Sequence, residues 1–274
     1  MKTTRFILII SVLLTSVAGV PVYAALIYGS DVVDDNLVSI DSSTMNGQVI
    51  GLFGPSGPVF AMTGLAFDPI DTTLYGISPS TDAIYTINPL TGFATLLATV
   101  STGGNPNGLA FDSNHSLLYL TDNNSNGLYS YNVVSSEFQL VGAITGGFSN
   151  VEGLGYDPQT DTLFGLADDQ DQIIRIDTSS AEATALPNAL GSGTWRGLDF
   201  DYISGMLFAT RVNDGAPLTV IDPLTGIGID LGKIIDHGRF DFVQGLAVVP
   251  EPSTLVLLAC ACGLVYLRHQ CEKR

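Results

Sequence analysis

One short segment carries oxygen ligands at the spacing of a calcium loop. Asp122, Asn124 and Asn126 occupy alternate positions and are followed by Gly127, which matches the first half of the pattern D-x-[DN]-x-[DN]-G. In such loops alternate oxygens face one cation, and a bidentate Glu stands at position twelve. Here position twelve is Val133, so a site would need ligands from outside the segment. Calcium is therefore a candidate cofactor at Asp122, Asn124 and Asn126, and an ordinary Asp/Asn turn is the alternative.

A second set of polar residues recurs with a regular spacing. Each member directly precedes a Gly-Leu pair, and the five are Thr63, Asn107, Glu152, Arg196 and Gln244. If the chain closes into a ring, these side chains surround the mouth of its central channel and form a candidate site for a small polar ligand or ion. The alternative is a self-contained hydrogen-bonded ring in which Glu152 pairs with Arg196.

Trp195 is the one tryptophan of the chain and directly precedes Arg196. It is a candidate ligand-binding residue, because an indole ring offers a stacking surface for a sugar. Packing between neighbouring repeats is the alternative use of the same ring.

The sequence offers little for catalysis. His115, His237 and His269 are far apart, so they predict neither a zinc site nor a Ser-His-Asp triad, and no Gly-x-Ser-x-Gly pattern occurs. A calcium-dependent hydrolase of the lactonase or phytase kind would need several carboxylates at the channel mouth, and only Glu152 is placed there. We therefore expect a non-catalytic protein, with such a hydrolase as the alternative.

These candidate residues lie within a repeat. Gly-Leu recurs at positions 64, 108, 153, 197 and 245, at intervals of 44, 45, 44 and 48 residues. Each interval contains four short runs rich in Leu, Ile, Val, Tyr and Phe, separated by turn-forming residues. Four antiparallel strands about every 45 residues predict the blade of a β-propeller.

The number of repeats predicts the topology. Four blades are complete, and a fifth is split between the two ends of the region: Gly245–Val249 supplies its first strand, and segments near Ile27, Leu37 and Gln48 supply the other three. Their pairing closes the ring and leaves no terminal sheet edge. We predict an all-β, five-bladed β-propeller with velcro closure over residues 25–249.

The stretch from Leu74 to Thr95, with the consensus LYGI…IYTINPLTG…T, resembles the repeat of NHL/YVTN-like bacterial extracellular propellers. The resemblance extends over the whole middle region and implies the propeller fold. Its motifs are structural, and propellers of this kind include scaffolds, ligand binders and hydrolases, so the resemblance does not select a function.

Both ends of the chain have the features of targeting segments. Residues 1–24 combine a positively charged start, an apolar stretch and a small-x-small cleavage site, which predicts a secretory signal peptide. Residues 250–274 begin with Pro250, Glu251 and Pro252 and continue with an apolar run, predicted to form a short transmembrane helix, and a basic terminus. All three cysteines lie in this last segment, where cysteine behaves as a small apolar residue.

The C-terminal segment resembles the PEP-CTERM sorting signal of Gram-negative bacteria. The resemblance rests on Pro250-Glu251-Pro252, the apolar run and the basic terminus, in that order. It implies an exosortase-type processing enzyme as a partner and transient contact of the C-terminal helix with the inner membrane. It also implies a location at the outer surface or in the exopolysaccharide matrix.

The charge of the predicted propeller excludes one class of partner. Residues 25–249 contain 25 acidic and 5 basic side chains, a net charge of −20, whereas the 274-residue chain carries −17. Because phosphate backbones attract basic patches, we expect no nucleic-acid binding. We predict an exported, surface- or matrix-associated, non-catalytic binding or scaffold protein, with exopolysaccharide or a small polar ligand as its candidate ligand.

Overall fold

The computed structural model of the protein describes residues 25–54, 61–212, 215–235 and 242–249. In these ranges, short runs of β-branched, aromatic and leucine residues alternate with turns and form twenty strands. The predicted signal peptide, residues 1–24, and the predicted C-terminal helix, residues 250–274, lie outside the described ranges.

The strands form five antiparallel four-stranded sheets, here numbered as blades. Blade 1 contains β20 (Val243–Val249), β1 (Leu26–Asp31), β2 (Asn36–Asp41) and β3 (Asn46–Leu52). Blade 2 contains β4 (Gly64–Asp68), β5 (Thr73–Ser78), β6 (Ala83–Ile87) and β7 (Ala94–Thr99). Blade 3 contains β8 (Pro106–Asp112), β9 (Leu117–Asp122), β10 (Gly127–Asn132) and β11 (Phe138–Ala143).

The last two blades follow the same order. Blade 4 contains β12 (Val151–Asp157), β13 (Thr162–Ala167), β14 (Gln172–Ile176) and β15 (Ala183–Ala185). Blade 5 contains β16 (Thr194–Asp201), β17 (Met206–Val212), β18 (Pro217–Ile221) and β19 (Gly228–Lys233). The first strand of each blade is innermost, and these strands contact one another in the ring order β20, β4, β8, β12, β16.

Blade 1 combines both ends of the propeller region. β20 pairs antiparallel with β1, with Leu26 opposite Val249 and Gly29 opposite Leu246. At the start of this pairing the backbone N–H of Gly245 donates a hydrogen bond to the buried Ser30 Oγ, at 2.8 Å. The predicted all-β, five-bladed propeller with velcro closure is confirmed.

The glycine of each Gly-Leu pair permits the innermost strands to approach one another. A Cβ atom added at Gly153 would lie 2.6 Å from the backbone nitrogen of Leu198, and one added at Gly197 would lie 2.3 Å from the carbonyl oxygen of Gln244. Only glycine tolerates contacts this close with the backbone of the next blade. The space among the five described pairs is too small for a water molecule. The axis is therefore closed between its ends, so the expected central channel is not open at this level.

The hydrophobic core is divided among the seams between blades. Five clusters of buried apolar side chains are present among the described residues, and each combines two neighbouring blades. An aromatic ring on the second strand of one blade packs on a ring of the next: Tyr75 on Phe111 at 5.6 Å, and Phe164 on Phe200 at 5.9 Å between ring centres. The described residues contain no helix that is long and apolar enough to cross a bilayer.

Candidate functional site

We call the end of the ring where the innermost strands begin the top face, and the opposite end the bottom face. The five polar residues that precede the Gly-Leu pairs all enter their strands at the top. Thr63 is half-buried, and its hydroxyl donates to the Pro106 carbonyl of the next blade at 3.1 Å. Asn107 is buried and Gln244 is half-buried. These three residues contribute to the seams of the top face, and the two charged members form a separate network.

The charged network joins blades 4 and 5. Arg196 Nη1 lies 2.7 Å from Asp168 Oδ2 and 3.6 Å from Glu152 Oε1. Asn123 Nδ2 donates to the same Glu152 oxygen at 3.1 Å. The predicted pairing of Glu152 with Arg196 is present, but Asp168 is the nearer partner of the guanidinium.

Asp168 is a further residue of this network, and its type alone does not distinguish it from the other Asp residues that follow a strand. Its Oδ1 accepts a hydrogen bond from the backbone N–H of Trp195 at 2.6 Å, while its Oδ2 accepts from Arg196. The available signal was its position, since Asp168 directly follows β13 and thus lies at the top face beside the next innermost strand. One carboxylate thereby orients two consecutive residues of blade 5.

Glu152 is held in an environment that favours its protonated form. Burial raises the pKa of this carboxyl to about 7, against the opposing effect of the Arg196 guanidinium. The negative charge of Asp168 raises the pKa further. Glu152 therefore exchanges a proton near neutral pH.

A cleft of about 390 Å³ lies beside this network, between the connection 188–191 of blade 4 and the outer strands of blade 5. Trp195 lines it but is only 3% exposed. Its Nε1 donates to the Gly191 carbonyl at 2.9 Å, and the Arg211 guanidinium lies 5.3 Å from the ring centre. Because Arg211 covers the indole ring, the geometry supports a packing role for Trp195 rather than an open stacking surface.

Two donor atoms of the Arg211 guanidinium, Nη2 and Nε, differ in their surroundings. Its Nη2 lies 3.2 Å from Asp230 Oδ2 at the rim of the cleft. Its Nε is buried and has no hydrogen-bond acceptor among the described residues. A buried donor without an acceptor carries a desolvation cost.

The predicted calcium residue Asp122 is buried, and its carboxylate already accepts several hydrogen bonds. Oδ1 accepts from the backbone N–H and hydroxyl of Ser125 at 2.7 and 2.8 Å, and Oδ2 accepts from Asn105 N at 2.7 Å and Thr102 Oγ1 at 2.8 Å. Burial raises the pKa of Asp122, but these hydrogen bonds outweigh burial and hold the pKa below its ordinary value. The carboxylate organises the turn that follows β9.

The other two candidate calcium ligands make separate contacts. Asn124 Nδ2 donates to the Gly103 carbonyl at 3.3 Å, and Asn126 Nδ2 donates to the carbonyls of Ile144 and Phe148 at 3.0 and 3.1 Å. The residues present therefore fit a turn network better than a calcium cage. Calcium binding at these residues stays a prediction.

Other acidic residues of the top face accept hydrogen bonds from backbone N–H groups. Asp31 accepts from the backbone N–H of Val33 at 3.1 Å, and Asp35 accepts from Ala61 N at 2.9 Å. The bond of Asp31 is typical of Asp in turns, whereas the bond of Asp35 joins two separate connections of the top face. The predicted sorting residues Pro250, Glu251 and Pro252 lie outside the described residues.

The fold and the polar top face define a β-propeller repeat protein, and solved structures share this architecture. A chain in the crystal structure of a nidogen/laminin complex matches 82% of this chain and 98% of its own length, with 16% identity and a TM-score of 0.57. A protein of unknown function from Bacteroides thetaiotaomicron matches with 15% identity and a TM-score of 0.57, over 82% of this chain and 58% of its own. TolB from Acinetobacter baumannii matches with 13% identity and a TM-score of 0.53, over 84% and 67%.

At these identities the likeness defines the fold alone. The sequence itself matches the family described as "Repeat of unknown function (DUF6923)" over residues 35–222, and the chain belongs to that family. No curated protein matches the sequence.

Proposed function

We propose that the protein is an exported, non-catalytic binding protein of the cell surface or extracellular matrix. Its ligand would be a neutral exopolysaccharide or a related small polar molecule, bound in the cleft beside Trp195. The observation that carries the proposal is an open cleft of about 390 Å³ whose lining includes the Arg211 guanidinium and the Asp230 carboxylate, with Nη2 and Oδ2 3.2 Å apart. Sugar hydroxyls would accept hydrogen bonds from the Arg211 guanidinium and donate to the Asp230 carboxylate.

The lining of the cleft suits a carbohydrate. It combines polar groups of Asn188, Thr219 and Asp230 with the apolar side chains of Leu190 and Ile227, and sugars present both hydroxyls and apolar C–H faces. Its volume is within the range of about 300–1,000 Å³ that is usual for ligand sites. The net charge of −20 over residues 25–249 would repel a polyanionic chain, which favours a neutral one.

The proposed location depends on the sequence of the two ends. Residues 1–24 have the pattern of a signal peptide, and residues 250–274 have that of a PEP-CTERM signal. An exosortase-type enzyme would be the processing partner, and the C-terminal helix would contact the inner membrane during sorting.

The alternative is a calcium-dependent hydrolase at the top of the axis, and no observation favours it. Such a site needs several carboxylate oxygens around one ion. The Arg196 guanidinium instead lies between the Glu152 and Asp168 carboxylates. A cation in that place would be repelled by the guanidinium.

The binding proposal is tested with a panel of neutral and amino-sugar oligosaccharides on the full chain. Arg211→Gln should weaken the affinity about tenfold or more, because a hydrogen bond to a charged group contributes about 1.5–3 kcal/mol. The matched control is Arg175→Gln, since Arg175 lies over the Phe164 ring at 5.8 Å and donates to the Pro223 carbonyl away from the cleft. Equal effects of the two substitutions, or binding to no glycan of the panel, would contradict the proposal.

A further inference from the structure

We infer that the bottom face carries a divalent-metal site at the seam between blades 3 and 4, formed by Asp112, His115 and Asp161. Each residue offers one ligand atom, and these atoms lie within 4.8 Å of one another. Among the described residues this is the only such group of three from His, Cys, Asp and Glu. One imidazole nitrogen with two carboxylate oxygens suits Zn²⁺ or a related transition-metal ion.

Two of the ligands lie close together in sequence: Asp112 ends β8, and His115 is in the turn that follows it. Asp112 is 1% exposed, and its Oδ1 accepts hydrogen bonds from the backbone N–H groups of Asn114 and His115 at 2.8 and 3.1 Å. Its Oδ2 lies 2.8 Å from His115 Nδ1. The His115 side chain is 59% exposed. The carboxylate is thus fixed in place, and the imidazole can rotate and is open to a metal ion from solvent.

The third ligand comes from the neighbouring blade. Asp161 lies in the turn between β12 and β13, and its Oδ1 accepts a hydrogen bond from the Tyr156 hydroxyl at 2.6 Å. Asn114 Nδ2 donates to the Pro158 carbonyl at 2.9 Å and so links the two turns. Hydrogen bonds that orient ligand side chains in this way are a regular feature of metal sites.

The repeat provides an independent argument. Positions equivalent to His115 in the other complete blades are Asp71, Thr160 and Ser204, and positions equivalent to Asp161 are Thr72, Ser116 and Gly205. Asp161 and its equivalents all have positive φ, between 54° and 71°. The turn therefore folds without His or Asp at these positions. Only the seam of blades 3 and 4 combines an imidazole with a carboxylate from the next blade.

Binding of a zinc ion would require small movements of the three ligand side chains. Ligand atoms around a tetrahedral zinc ion, at about 2.0–2.2 Å from the metal, lie about 3.3 Å apart. A metal ion would replace the hydrogen bond between His115 Nδ1 and Asp112 Oδ2, which are 2.8 Å apart, and rotation of the exposed His115 side chain would adjust its distances to both carboxylates. Asp161 keeps its Oδ2 for the metal while Tyr156 holds Oδ1. A water molecule would complete four-coordination, as in zinc sites with three protein ligands.

The test is a titration of the full chain with Zn²⁺ alone, followed by calorimetry and by thermal unfolding with and without EDTA. Zn²⁺ should raise the unfolding temperature of the wild type, because it joins two blades. His115→Thr and Asp161→Ser introduce residues that equivalent turns contain, and each should abolish this rise. Tyr156→Phe should weaken the affinity about 10–100-fold while leaving the fold intact.

Asp71→Thr, in the equivalent turn of blade 2, is the matched control and should bind Zn²⁺ like the wild type. Cys260, Cys262 and Cys271 remain in every variant and define the background, which Co²⁺ absorption spectra identify by thiolate charge-transfer bands. Two outcomes would overturn the inference: an undiminished Zn²⁺ effect in both His115→Thr and Asp161→Ser, or binding with thiolate bands only. These measurements do not involve the cleft, so they are independent of glycan binding.

Discussion

Asp199 of β16 differs in chemical character from the residues at the same position of the other innermost strands. Equivalent positions of the other innermost strands are small and apolar, namely Ala66, Ala110, Gly155 and Ala247. The Asp199 carboxylate lies at a cavity of about 30 Å³ at the bottom end of the axis. It accepts hydrogen bonds from the backbone N–H groups of Val248 at 2.7 Å and Phe200 at 2.8 Å. Burial nevertheless raises the pKa of this carboxyl to about 8.

This pKa predicts a pH dependence of stability. The folded protein keeps a proton on Asp199 up to about pH 8, whereas the unfolded chain loses it near pH 4. Between these values the folded state binds more protons, so the free energy of unfolding should fall as the pH rises. Asp199→Ala should remove this part of the fall. Urea unfolding at pH 5 and pH 8 measures the effect.

Glu152 contributes in the same direction, because burial raises its pKa to about 7. Glu152→Gln is therefore the companion variant, and it should reduce the fall mainly below pH 7. If Asp199→Ala keeps the full pH dependence of the wild type, Asp199 is ionised in the folded protein and the prediction is wrong.

At the scale of elements, the innermost strands determine both the closed axis and the placement of the charged network. β12 and β16 lie side by side, so Glu152 and Arg196, which are 44 positions apart in sequence, meet at the top face. The glycines of these strands make the approach possible, since Gly153 faces the backbone of β16 directly.

Gly153→Ala should destabilise the protein by about 1–3 kcal/mol, because the added methyl group would overlap backbone atoms that cannot move freely. The matched control is Gly191→Ala: a Cβ at Gly191 meets nothing within 4 Å. The control should change the free energy of unfolding by less than about 0.5 kcal/mol. Chemical denaturation of both variants measures the difference, and similar values for the two would contradict the role of Gly153.

At the scale of the whole molecule, the strand that closes the ring and the proposed sorting signal are adjacent in the chain. β20 completes blade 1 and ends at Val249, and the proposed sorting signal begins at Pro250. The two roles can therefore be separated by truncation at neighbouring points.

A chain that ends at Val249 should keep cooperative thermal unfolding and, when it is expressed with residues 1–24 as the proposed signal peptide, appear in soluble form outside the cell envelope. A chain that ends at Phe242 lacks β20, which exposes the edge of β1, and it should lose cooperative unfolding. Circular dichroism and cell fractionation measure the two properties. Retention of the longer truncated chain at the envelope would argue against the sorting signal.

The fold was more predictable from the sequence than the site was. Gly-Leu pairs at near-constant intervals, with four short apolar runs in each interval, indicated strand order, blade number and closure. The ion pair of Asp168 with Arg196 was not predictable, because Asp168 is one of many Asp residues that follow a strand. The proximity of His115 to Asp161 was not predictable either, because each residue by itself is an ordinary turn residue.

The sequence by itself determined the repeat architecture, since strand patterning and turn chemistry are local and are copied in each blade. It also determined that the propeller region is strongly acidic and that the cysteines lie at the C-terminal end. Only the tertiary structure decided that the axis is closed, that Arg211 covers Trp195, and that a histidine and two aspartates meet at one seam. These arrangements join residues of different blades or strands, so they depend on how the ring closes and on which rotamers its packing permits.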